Sequence, residues 1–177
     1  MLRYLKGQRF QINPTSLAIL QRALFLVATA SGLRASQLHG LVRHPSWLVF
    51  TPDGRCAILA PSLKLLAKNE SQGHNLLPLI LSAWVCEGSH YALCPVEAVR
   101  RYLAVTEDRT PKHLFVWPNT LKPLSCLQVS RVLCGVIEAA DPDKAPKGHD
   151  LRAMSVTLAY LCHYSLDRIQ QEWAVGF

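Results

Sequence analysis

The sequence predicts an α+β domain, mostly helical with one small antiparallel sheet, and three observations carry that prediction. Leu17, Leu20, Leu24 and Val27 recur at helical spacing near the start of the chain. Two β-prone runs flank Pro52-Asp53-Gly54, a strong hairpin turn. Further on, Cys94-Pro95-Val96-Glu97 and Ser125-Cys126-Leu127-Gln128 carry the start signals of two more helices. With 177 residues, 50% of them apolar and 18% charged, the chain is long enough for one domain with its own core and too apolar for intrinsic disorder.

Taken in order, Asn13-Pro14 supplies a cap and a first-turn proline for the first helix, and Phe25 and Leu26 widen its stripe into a buried face. Ser31-Gly32 stops it, residues 35–41 read as a short second helix, and Arg34 lies in the elbow between them. Residues 47–51 and 55–59 form the hairpin, and residues 76–81, after the polar loop 68–75, supply a third strand. A helix from Pro95 to about Thr106 places Val96, Val99 and Leu103 inward and Arg100 and Arg101 outward. The polar connection 107–112 then leads to the short apolar run 114–117. The capping box at Ser125 opens a helix that ends before Asp141-Pro142. After the loop 141–148, residues 149–164 and 166–173 read as the last two helices.

The net charge of +7 and a pI near 9.3 suit a polyanionic partner, and equally a merely soluble surface. Six cysteines (Cys56, Cys86, Cys94, Cys126, Cys134 and Cys162) form no CxxC pair and no zinc-spaced group, so they read as reduced, mostly buried thiols. That points to an intracellular protein with no metal. The basic start Arg3, Lys6, Arg9 ahead of an apolar run imitates an export signal. However, Gln21 and Arg22 leave only residues 23–30 uninterrupted, where about 20 are needed to cross a bilayer. No membrane association is expected.

The segment most telling for chemistry is His149-Asp150-Leu151-Arg152. On a helix His149 and Arg152 share a face, Leu151 turns inward, and Asp150 in the first turn suits the helix dipole. Imidazole beside guanidinium is a good arrangement for holding an anion, because arginine donates two parallel hydrogen bonds to phosphate oxygens. The same letters also fit an exposed helix start with incidental polar residues. A second arginine, Arg34, follows a glycine turn between two apolar helices in Ala30-Ser31-Gly32-Leu33-Arg34.

Together these stretches resemble the tyrosine recombinases, the phage-integrase-like superfamily that breaks and rejoins DNA. In that family the first catalytic arginine follows a small-Gly-Leu-Arg elbow, and the second closes a His-x-Leu-Arg helix. The likeness is nearest to recombinases of DIRS-type retrotransposons, through Leu65-Leu66-Ala67-Lys68 and Leu93-Cys94-Pro95-Val96-Glu97-Ala98-Val99-Arg100-Arg101-Tyr102-Leu103. It runs from about Leu17 to Trp173. The resemblance implies an integrase-like catalytic fold and phosphoryl transfer without metal or cofactor. A tyrosine hydroxyl attacks the scissile phosphate and leaves a covalent 3′-phosphotyrosyl link. Arg34 and Arg152 would then stabilise charge on the non-bridging oxygens. Lys68 would protonate the leaving 5′-oxygen, and His149 would assist proton transfer at the tyrosine. Arg43, Lys122 and Lys147 become candidate contacts to backbone phosphates. The implied partners are double-stranded DNA and further copies of the chain on it, with no small-molecule substrate, in nucleus or cytoplasm.

The chain departs from the family pattern toward its C-terminal end. The family carries a second His or Trp and then the nucleophilic tyrosine; Trp173 falls close to the former, and no tyrosine follows it. Tyr160 and Tyr164 lie roughly 12–18 Å beyond Arg152 along a helix and read as packing residues. Residues 1–13 therefore read as an N-terminal extension. Residues 14–177 read as a recombinase catalytic-like domain lacking its nucleophile segment and expected to be inactive alone. Two other readings fit the same letters. One is a non-enzymatic DNA-binding or protein-interaction remnant of the same fold; the other is an unrelated helical scaffold in which Arg34 and Arg152 are not neighbours.

Overall fold

The chain begins with one helical turn, α1 (Leu2–Leu5), followed by the long helix α2 (Ser16–Ser31). The computed structural model describes residues 2–7, 10, 12–59, 78–83, 92–106, 112–143 and 150–161. Thr15, and not Asn13-Pro14, caps α2: its Oγ1 accepts from the Ala18 N–H at 3.2 Å. Asn13 instead turns the chain with φ +45°, a conformation asparagine tolerates better than most residues. The helix is buried on nearly every side, as an apolar helix at the centre of a domain must be. Leu17, expected in its inward stripe, is the exception and stands 44% exposed in the first turn.

The stretch expected to be a mere extension contributes to the core. Leu5 and Phe10 are almost wholly buried, and the Tyr4 ring meets Phe10 edge-on at 5.2 Å between centroids. Each such apolar side chain contributes roughly 1.5–3 kcal/mol on burial.

After α2 comes the short helix α3 (Ala35–His39), two residues shorter than expected. Leu41 and Val42 leave the helix because they join an antiparallel bridge to residue 113, where the Leu114 N–H donates to the Leu41 carbonyl at 2.8 Å. The sheet follows: β1 (Leu48–Phe50), β2 (Cys56–Leu59) and β3 (Leu79–Ser82), antiparallel in the order β1-β2-β3. Trp47, expected in the first strand, lies in a turn. Phe50, Ala57 and Leu81 are in register toward the core, and Val49, Ile58 and Ile80 are in register on the opposite face. The hairpin turn needs Gly54, which adopts φ +69° beside the Arg100 guanidinium.

Helix α4 (Pro95–Ala104) starts at the proline and packs against α2 and β3. Val96 and Val99 point inward as expected, whereas Leu103 is only half-buried and Tyr102 is fully buried beside them. Arg100 faces outward and lies over the Phe50 ring at 5.0 Å. The helix α5 (Cys126–Ala140) begins with the expected capping box. The Ser125 N–H donates to Gln128 Oε1 at 2.8 Å, and the Gln128 N–H donates to Ser125 Oγ at 3.3 Å. The last described helix is α6 (Asp150–Leu161), which packs against α2. The architecture is thus mixed α and β, with a small antiparallel sheet beside helices gathered around α2. No helix among the described residues is long and apolar enough to cross a membrane.

Candidate functional site

The elbow that carries Arg34 is built by the end of α2. Gly32 takes a left-handed conformation, φ 63° and ψ 12°, and its N–H donates to the Ala28 carbonyl at 2.9 Å. This is the C-terminal turn that glycine permits without steric cost. Ser31 Oγ closes the inside of the bend, donating to the Val27 carbonyl at 2.7 Å and accepting from the Leu33 N–H at 3.2 Å. Arg34 then becomes the N-cap of α3 in extended conformation. Its N–H donates to Gln37 Oε1 at 2.9 Å, and its carbonyl accepts from the Leu38 N–H. A guanidinium carries donors only, so the side chain cannot serve as the cap. It stands exposed at the surface.

Arg152 is placed by α6. Leu151 is 4% exposed and Ser155 1% exposed; four residues apart, they form the helix's inner edge. Ser155 Oγ donates to the Leu151 carbonyl at 2.8 Å, so the buried hydroxyl is satisfied within the helix. Arg152 sits beside that edge, half-buried, with Nη1 closed off from solvent.

These two arginines, more than a hundred residues apart in sequence, come close enough for the charge of one to act on the other. The Arg152 pKa is lowered, first by desolvation and then by the positive charge of Arg34. A cation in the first turn of a helix already opposes the helix dipole, and a second cation adds to that cost. Two like charges brought this near to each other favour an anion beside them.

The remaining predicted residues divide into two sets. Lys68, His149, Lys147 and Trp173 lie outside the described residues, as does Tyr164, while Tyr160 falls on α6. Lys122 is exposed. Arg43 has a packing role instead. Its Nη1 donates to the Thr106 carbonyl at 2.9 Å and to Thr106 Oγ1 at 2.6 Å, and its Nη2 donates to the Leu103 carbonyl at 3.2 Å. These donors satisfy the carbonyl end of α4, where helix geometry leaves acceptors over and the dipole favours a cation. The geometry around Arg43 lends no support to a phosphate contact there. Cys56, Cys94, Cys126 and Cys134 are in no disulfide. Among the described residues no group of three or more His, Cys, Asp or Glu side chains is placed to hold a metal ion.

Sequence reasoning missed Tyr102, whose hydroxyl donates to the Val116 carbonyl at 2.8 Å and accepts from the Val116 N–H at 2.7 Å. It also missed the His39–His113 pair and the burial of Arg22. Each depends on partners from distant parts of the chain, so no local pattern marks it. Comparison with known proteins gives no relative: no family model, no curated protein and no solved structure matches the chain.

Proposed function

We propose that this chain is an integrase-like, DNA-binding domain of the tyrosine recombinase type, in which Arg34 and Arg152 clamp one DNA phosphodiester. The single observation that supports it is that the positive charge of Arg34 reaches Arg152 at the start of α6. In the full reaction of such a domain a tyrosine hydroxyl displaces the 5′-oxygen, and negative charge grows on the non-bridging oxygens. Donors already aimed at those oxygens stabilise that charge, and loss of one costs about 10²–10³ in rate. Lys68 and His149 remain the candidates for proton transfer at the leaving oxygen and at the nucleophile. The chain's net charge of +7 suits a polyanion.

The test is binding to a short labelled DNA duplex between about 50 and 200 mM salt. Wild-type protein is expected to bind with strong salt dependence. Replacing Arg34 and Arg152 together by Ala should weaken binding and reduce the slope of log K against log salt by about one, the value for one lost phosphate. Salt-sensitive binding that ignores both substitutions would favour a DNA-binding remnant that uses another surface. Absence of binding at low salt would remove the DNA assignment.

A further inference from the structure

The helix that presents Arg34 is fastened at its other end by two histidines. We propose that this pair, His39 and His113, sets the position of the Arg34 guanidinium against Arg152; the inference rests on the phosphate-clamp reading of that site. Arg34 caps α3 and His39 ends it, so the two sit about 7.5 Å apart along one short rod. The His39 and His113 rings are stacked, with centroids 4.9 Å apart and planes within 14°. His39 Nδ1 lies 2.7 Å from the Leu124 carbonyl, and His113 Nδ1 lies 3.0 Å from the carbonyl of His39 itself. A carbonyl oxygen only accepts, so both rings carry a proton on Nδ1.

The His113 bond thus satisfies one of the acceptors left over at the end of α3. The His39 bond reaches a different loop, the one that leads into α5. Between them the two rings tie α3 to two segments distant in sequence. The bridge from Val42 to His113 continues the tie past the helix, and fully buried Leu38 is its apolar part. A helix this short has no stability of its own, so its orientation comes from these contacts. Arg34 follows that orientation, while Arg152 is fixed independently by α6.

Arginine Nε–H resonances of nitrogen-15-labelled protein, titrated with inorganic phosphate, read the site residue by residue. In wild type the Arg34 and Arg152 signals should move together with one affinity. His39→Leu loses both ring and donor. It should weaken that affinity about fivefold to tenfold, the loosening rather than deletion of a charge-assisted bond, and displace the Arg34 signal before phosphate is added. The Arg22 signal should stay in place. His39→Asn sets an amide N–H where Nδ1–H stood and should restore affinity to within about twofold, a rescue that volume alone does not predict. If His39→Leu does not fold, His113→Asn against His113→Phe makes the same comparison at the other ring.

Unchanged phosphate affinity in His39→Leu, with wild type binding, would overturn the positioning role and leave the clamp standing. Wild-type signals indifferent to phosphate would remove the clamp. The phosphate-free Arg34 signal then decides the positioning role separately: displaced in His39→Leu and restored in His39→Asn it stands, and unmoved in both it falls.

Discussion

Arg22 is buried and Arg152 half-buried, and the two differ in the charges that act on them. Arg22 is 6% exposed inside the α2–α4 region. Burial and then the nearby Arg101 lower its pKa, but Glu97 pulls it back up, and Nη1 donates to the Phe10 carbonyl at 3.5 Å. Arg43 is answered by main-chain carbonyls, and Tyr102 by both polar atoms of Val116. At the start of α6, Arg152 is likewise lowered by burial, yet the charge that adds to this is another cation, Arg34. In the first region a carboxylate offsets the cation, although Arg22 Nε and Thr29 Oγ1 have no hydrogen-bond partner. In the second the charge that acts on Arg152 is that of Arg34, and two like charges favour an anion beside them.

The sharpest way to break this contrast is to remove each arginine in turn. Arg152→Ala should lower phosphate affinity about fiftyfold, by loss of a forked charged donor. Its cost in urea unfolding should be smaller than that of Arg22→Ala, because the side chain is only half-buried and the repulsion from Arg34 goes with it. Arg22→Ala should do the reverse, leaving phosphate affinity within about twofold and costing about 2 kcal/mol through lost packing and a stranded Phe10 carbonyl. If Arg152→Ala were the destabilising change and Arg22→Ala the binding change, the contrast would be inverted.

Tyr102 gives the first region a dependence on pH. Burial pushes its pKa up to about 12 from 10.0. Between those values the unfolded chain gives up the proton while the folded one keeps it, so stability falls as pH rises. It should be level below pH 10 and lose up to about 2 kcal/mol by pH 12. Tyr102→Phe should cost about 1.5 kcal/mol at neutral pH, by unpairing both Val116 groups, and should shrink the alkaline decline. An alkaline decline identical in the two proteins would show that Tyr102 is not its source. Smallest is Gly32→Ala, where a side chain at φ 63° should cost about 1 kcal/mol in thermal or urea unfolding. It should also weaken phosphate binding a few fold by shifting the elbow; an effect on stability alone would separate the bend from the site.

The parts legible in the sequence are those whose causes are local. The capping box at Ser125, the proline start of α4, the hairpin around Gly54 and the glycine elbow before Arg34 each rest on residues within a few positions of one another. The start of α2 was misplaced because Asn13 and Thr15 are both good caps, and only the folded backbone shows which one accepts. Arg22 looked like an interruption of an apolar run, yet it is buried, because Phe10 and Glu97 come to it from other elements. Arg43 looked like a surface cation for the same reason: its acceptors at Leu103 and Thr106 are far along the chain. At the candidate site the sequence indicated Arg34 and Arg152, and the influence of one charge on the other depends on how α3 packs on α5 and α6 on α2, which no spacing rule contains.

On the proposed reading, Arg34 and Arg152 hold one anion between them. A crystal structure grown with orthovanadate or phosphate tests it most directly. One tetrahedral anion within hydrogen-bonding distance of both guanidiniums is the predicted result. Two guanidiniums directed to separate surfaces, or either one paired with a carboxylate of the chain, would contradict it.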